Sequence, residues 1–198
     1  MRTLDANGLV VGASDTIYTA GGGTIRPLSP NPADITIEDI AHALSNQCRF
    51  TGHTRHFYSV AEHSLLCQKY VELEGGDTEE QLTALLHDGS EAYLSDIARP
   101  IKKTPGFAET YLKYEKGLEE AVGLAFDIPT DPFSYPIVKQ ADERLLGIEV
   151  HRLMPQGFVD AYGPIPLWPV FLDPMCYSPR IAETLFLGVY KELAWRRA

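Results

Sequence analysis

The chain has 198 residues, enough for one domain that buries roughly two thirds of the surface its unfolded form exposes, so no covalent staple is required. A formal charge of -10 repels a polyphosphate backbone and argues against binding long nucleic acid through a general basic surface. The cysteines Cys48, Cys67 and Cys176 are odd in number and widely spaced, which speaks against a disulfide framework and a cysteine-rich zinc site.

A reducing, cytoplasmic setting is therefore expected. No apolar run approaches the ~18 residues of a membrane span, and the start "MRTLDANGLV" lacks a signal peptide's apolar stretch, so the chain reads as soluble, unexported and without a membrane partner.

In chain order, "DTIYTAGGGTIRPLSP" places β-formers on both sides of a triple glycine and predicts a small hairpin within 14–30. "TIEDIAHALSN" begins with Thr36 and Asp39 in a capping-box-like spacing and sets Ile37, Ile40, Ala41 and Leu44 on one helical face. "FYSVAEHSLLCQKYVEL" continues the helical period and closes at Gly75-Gly76. "DTEEQLTALLHDGSEAYL" predicts a third helix, capped by Asp77 or Thr78, with Leu82, Leu85 and Leu86 inward and His87 and Asp88 directly after them. "FAETYLKYEKGLEEAVGLAF" and "DPFSYPIVKQADERLLGIEVHRLM" are two more helices, the first ending before Pro129 and the second reaching Pro155. "YGPIPLWPVFLDPMCYSP" carries five prolines and is expected to cover the core as a loop, after which Ser178-Pro179 opens a final helix ending in basic residues. The fold class is all-α: one domain over 1–198, with its core at about 37–152, an N-terminal β-hairpin, and a proline-rich loop and C-terminal helix over 163–198.

Four of the six histidines fall in two short stretches, "HTRHFYSVAEHS" and "LLHDGSEAYLSD". His87 and Glu91 are four apart and are expected on one helix face, with Asp88 about 100° from His87. Asp142 lies in "VKQADERLLG", where an ionised carboxylate among alanine, leucine and glycine needs a partner, and a metal would supply one for all of these groups. His53 and His56 read two ways, as contacts to a second metal or a phosphate, or as exposed loop residues. His42 and His151, with no acidic cluster around them, read as structural.

The order His63, His87-Asp88, Asp142 on successive helices resembles the H…HD…D signature of the HD-domain metal-dependent phosphohydrolases. "CRFTGH", "SVAEHS", "HDGSE" with a following "SD", and "VKQAD" are similar to the branch that contains bacterial 5′-deoxynucleotidases and phage dATP triphosphohydrolases, over about Ile37 to Arg152. The resemblance implies His63, His87, Asp88 and Asp142 as metal ligands, with Asp88 and Glu91 in the catalytic set and Glu91 acting on the water or the leaving group. It implies Arg49 at the phosphate, Asp96 at the sugar, and Phe50 at the base where those relatives often have tryptophan; Lys102 reads two ways, as charge added at the rim of the pocket or as a solvated surface residue. The implied cofactor is a divalent transition metal, Mn, Co, Fe, Ni or Zn, as a mixed N/O site with open positions suits. The implied partner is a small-molecule deoxynucleotide, deoxyadenosine forms first, bound by a homo-oligomer of two or more copies.

Three rival functions follow from the same residues. An alarmone hydrolase would carry consecutive acids where Glu91 is followed here by Ala92 and Tyr93. A non-catalytic nucleotide-binding module would be expected to have lost a ligand, and none is missing. A nuclease is disfavoured by the acidic charge.

Overall fold

The computed structural model describes residues 15–198 together with the backbone of two short strands, Thr3–Leu4 (β1) and Val10–Val11 (β2), paired antiparallel. The expected hairpin follows as Ile17–Tyr18 (β3) and Thr24–Ile25 (β4), with Ile17 opposite Ile25 and Tyr18 opposite Thr24; its first expected residue, Ser14, lies outside the described residues. Beyond these strands the chain is helical, as the pattern of apolar residues predicts.

Ile37–Asn46 (α1) starts at Thr36, whose hydroxyl accepts from the Asp39 amide at 3.2 Å. Val60–Leu73 (α2) is capped by Ser59 and ends in a left-handed Gly75 at φ 84°, with the amides of Gly75 and Gly76 donating back to Glu72 and Val71. That Schellman closure is the physical content of the Gly75-Gly76 signal. Thr78–Leu86 (α3) has the full capping box between Asp77 and Glu80.

The third helix stops earlier than its apolar pattern suggests. After Leu86 the chain makes tight turns, with Gly89 N donating to Leu86 O, Glu91 N to Asp88 O and Tyr93 N to Ser90 O, before the short helix Glu91–Leu94 (α4). Bonds of this i→i+3 type wind about three residues per turn. Asp88 and Glu91, rather than His87 and Glu91, therefore come close to eclipsing one another. Gly89 permits the turn: a Cβ there would sit 2.9 Å from Leu86 O and 3.2 Å from a Val122 methyl.

The remaining helices are Arg99–Lys102 (α5), Phe107–Phe126 (α6), Pro136–Leu153 (α7), Gln156–Tyr162 (α8) and Pro179–Arg197 (α9). Pro132–Ser134 forms a separate 3-10 turn and Pro136 opens α7, so the predicted sixth element is split at Tyr135. The seven-residue α8 was not expected from the sequence: two turns are too short to establish a helical period, and none of its residues is buried.

Helices α2 and α3 form the centre. On one side α1 and α9 pack against them around Ile40, Leu44, Val60, Leu85, Leu86 and Phe186; on the other α7 packs around Cys67, Val71, Ala84, Val138, Ala141 and Leu145. A helix enclosed on both sides buries polar residues along with apolar ones. From Val60 to Ser64 every residue of α2 is buried, including Glu62 and His63. The Glu62 carboxylate is satisfied by three consecutive amides of the covering segment, Met175 at 2.6 Å, Cys176 at 2.9 Å and Tyr177 at 2.8 Å. This ties the proline-rich segment to α2 one residue before His63.

Candidate metal centre and cavity

Three elements bring the histidines and aspartates together. His63 on α2 has Nε2 3.2 Å from Asp142 Oδ1 on α7 and 3.7 Å from Asp88 Oδ2 in the α3–α4 turn. His87 Nε2 is 3.3 Å from Asp88 Oδ1, and the two imidazole rings are 5.2 Å apart. The His87 Nδ1–H donates to the Ala84 carbonyl at 2.7 Å, which leaves the lone pair on Nε2. That Nε2 is buried without a hydrogen-bond partner: a bare nitrogen and the nearby Asp88 carboxylate are both acceptors. An orphaned imidazole nitrogen beside a carboxylate and a second imidazole is what a metal site needs.

Cys67 joins this cluster. Its Sγ lies 3.4 Å from His63 Nε2, and the donor atoms of His63, Cys67 and His87 all fall within 4.8 Å of one another, a buried group able to coordinate a divalent transition metal. The absence of a cysteine motif hid this residue. The signal that could have found it is its place four residues after His63, on the same face of α2. Burial pushes the Cys67 thiol up to about 11.

Behind the cluster is a carboxylate that sequence reasoning missed. Glu149, buried on α7, accepts from His63 Nδ1 at 2.5 Å, from the Tyr58 hydroxyl at 2.8 Å and from Arg49 Nε at 3.2 Å. Burial alone would raise its pKa, but the charges of Arg49 and His63 and these hydrogen bonds outweigh it and hold it below the usual value. Asp142 behaves likewise: burial opposes ionisation, and the His63 hydrogen bond with the charges of His63 and Arg49 drives it far down.

In front of the cluster opens a cavity of about 650 Å³. Its walls include His87, Asp88, Asp142, Glu91, Arg49, Phe50, Asp96 and Lys102, so all the candidate site residues read from the sequence line it except His63, which is sealed behind them. His53 also lines the cavity, whereas His56 does not and is exposed. His42 pairs with Glu183 at 3.4 Å, and His151 bonds to the Gly147 carbonyl, away from the cluster.

Arg49 reaches Asp88 Oδ2 with Nη1 at 3.4 Å. It is followed by two left-handed residues, Phe50 (φ 54°) and Thr51 (φ 53°), and then Gly52 (φ 76°). Ser95, just before Asp96, has φ 71° and ψ 153°, a region costly for any residue with a side chain. Both segments that carry candidate substrate contacts thus hold strained backbone at the cavity wall.

Glu91 is buried, with Oε1 3.2 Å from Lys102 Nζ and Oε2 lacking any hydrogen-bond partner. Burial, with the negative charges of Asp88 and Asp96, pushes its pKa up to about 8. Lys102 is not a free rim charge: it bridges Glu91 and, at 2.8 Å, Glu115 on α6. The cavity also has an apolar lining of Phe133, Leu146, Val150 and Met154 with Phe158 and Tyr162 of α8.

No protein-family model matches the chain. It is 37% identical over 146 residues to the uncharacterized protein YfdR of Escherichia coli K12, across 70% of this chain and 79% of that protein. It is 42% identical over 147 residues to the uncharacterized protein RCAP_rcc00048 of Rhodobacter capsulatus, across 71% of this chain and 72% of that one.

Proposed function

This chain belongs to the family of Escherichia coli YfdR, and we propose that it is a metal-dependent phosphohydrolase of the HD-domain type that cleaves the 5′ phosphoester of 2′-deoxynucleotides. One observation carries the reading: His63, His87, Asp88 and Asp142, from three separate elements, cluster beside a cavity that the last three line, with an orphaned His87 Nε2 and a buried arginine next to them.

His63, His87, Asp88 and Asp142 would hold the ion, with the Cys67 thiol as a further donor within reach. Such donors suit Mn, Co, Fe, Ni or Zn better than Mg or Ca. When bound, a metal of this kind polarises a phosphoryl oxygen and lowers the pKa of a water. Arg49, its charge always on, binds the phosphate and orients it. Water oxygen bonds to the α-phosphorus, the bond from phosphorus to the 5′-oxygen breaks, and Glu91, kept protonated by burial, gives its proton to the departing oxygen; the water's hydrogens leave on the released phosphate, which returns one proton to the Glu91 carboxylate. Asp96 accepts from the 3′-hydroxyl, and Phe50 with the apolar wall receives the base.

The cavity is large enough for a nucleotide, in the ordinary range of 300–1,000 Å³ for small-molecule sites. The test is a comparison of dAMP, dATP, AMP and ATP with added Mn²⁺ or Co²⁺, the products separated by chromatography. Deoxyadenosine is the expected product, with the phosphate group of each deoxy substrate released whole. Equal rates on ribo and deoxy forms would refute the sugar assignment, and orthophosphate removed stepwise from dATP would refute the bond assignment.

A further inference from the structure

Glu149 takes no proton and touches no substrate in the reaction above, yet both of its oxygens are committed at the site. Oε1 is shared by His63 Nδ1 and the Tyr58 hydroxyl, and Oε2 takes Arg49 Nε. It stands on the same face of α7 as Asp142, two helical turns further on, with Ile148 and Val150 beside it and no solvent exposure. A carboxylate in that position costs stability unless its partners are fixed, so its presence among apolar neighbours calls for a reason.

Glu149 holds two groups that have different tasks. By accepting from Nδ1 it fixes the His63 ring with Nε2 turned toward Asp142 and Asp88, as partners of metal-bound histidines do in general. By accepting from Nε it holds the Arg49 guanidinium at the cavity wall, with Nη1 3.4 Å from Asp88 Oδ2. We propose that Glu149 is a positioning residue that couples the metal centre to the phosphate-binding arginine, an inference that rests on the phosphohydrolase reading.

A carboxylate is the group that can do this. Three donors converge on it, and two of them, His63 Nδ1–H and Arg49 Nε–H, lie on different oxygens. In Glu149→Gln one of those oxygens becomes an NH₂ donor. If the amide oxygen stays with His63, the NH₂ faces Arg49 Nε–H and the guanidinium is released. If it turns to Arg49, the NH₂ faces His63 Nδ1 and drives the imidazole proton to Nε2, the nitrogen that must stay bare. Either rotamer breaks one half of the arrangement.

The experiment titrates wild type, Glu149→Gln and Glu149→Asp with Zn²⁺ against a chromophoric chelator. It also follows the His63 Nδ1 proton of the zinc-loaded proteins by NMR and measures kcat and KM on the deoxynucleotide panel. Glu149→Gln is expected to bind Zn²⁺ about 10–100-fold more weakly with loss of the downfield Nδ1 proton, or to keep Zn²⁺ and raise KM by at least about tenfold. Glu149→Asp keeps the charge and is expected to retain the Nδ1 proton with a smaller loss of affinity. A folded Glu149→Gln with wild-type zinc affinity, an unchanged Nδ1 proton and an unchanged KM overturns the coupling. Should that variant not fold, wild-type zinc affinity and KM in Glu149→Asp overturn it instead. Failure of the wild type itself to take up Zn²⁺ overturns the metal reading, a result separate from the comparison among variants.

Discussion

His63 Nε2 lies 3.2 Å from Asp142 Oδ1, joining a histidine of α2 to an aspartate of α7. The His87 Nε2 beside them has no hydrogen-bond partner. Two carboxylates and two imidazoles this close are mutually compensated only in part without a cation, so metal should stabilise the fold. At a free metal concentration of 100 times Kd the gain is about 2.7 kcal/mol. Wild type should show a higher unfolding midpoint with Mn²⁺, Co²⁺ or Zn²⁺ than after chelation, and His87→Ala should lose both the shift and the bound metal. Wild-type metal content in purified His87→Ala, by elemental analysis, contradicts the ligand assignment.

Glu91 contributes a proton rather than a metal bond. Glu91→Gln should keep metal content and KM near wild type while kcat falls by about 10²–10⁴-fold, the usual weight of a positioned acid or base. Normal turnover in this variant removes Glu91 from the chemistry.

Ser95 adopts φ 71° and ψ 153°, where glycine alone is at ease, and its strain sits between α4 and Asp96. Ser95→Gly should relieve about 1 kcal/mol net of the added chain entropy, raising the unfolding midpoint by roughly 2–4 °C for a domain of this size. An unchanged or lower midpoint would show that the conformation carries no strain. If the strain serves to aim Asp96, the same variant should raise KM for deoxynucleotides.

Glu119 on α6 faces the cavity beside Glu115 of its own helix, with Asp131, Lys102 and Asp88 nearby, and burial followed by the Glu115 and Asp131 charges pushes its pKa from 4.5 to about 7. Between those two values the folded chain holds a proton that the unfolded chain releases, so this residue's contribution to stability falls as pH rises from about 4.5 to 7. Glu119→Gln should flatten that part of the profile. Thermal unfolding across this pH range is expected to place the variant above wild type at pH 8 and close to it at pH 4.5. Parallel profiles would contradict the assignment.

The ordered series His63, His87-Asp88, Asp142 was legible because each residue sits in a strongly periodic helical stretch, and periodicity also located α1, α2, α6, α7 and α9. The turn after Leu86 was not legible: its residues suit a helix, and the close approach of Gly89 to Val122, where a Cβ would lie 3.2 Å from a methyl, joins distant parts of the chain. Glu149 was hidden for the same reason. Flanked by Ile148 and Val150, it looks like a stray charge in an apolar helix until Tyr58 and Arg49 are brought against it. Cys67 carried a local signal, its spacing from His63, but a single cysteine without a motif gave no cause to weigh it. Lys102 looked like a solvated rim charge and is instead held between Glu91 and Glu115.

The measurement that bears most directly on the account is hydrolysis of dAMP and dATP by metal-stripped protein, by the same protein reloaded with Mn²⁺ or Co²⁺, and by reloaded Asp142→Asn. The account predicts release of deoxyadenosine only after reloading, with the rate of Asp142→Asn lower by at least about two orders of magnitude. Equal hydrolysis by stripped and reloaded protein, or no release of deoxyadenosine from either substrate by metal-loaded wild type, would contradict it.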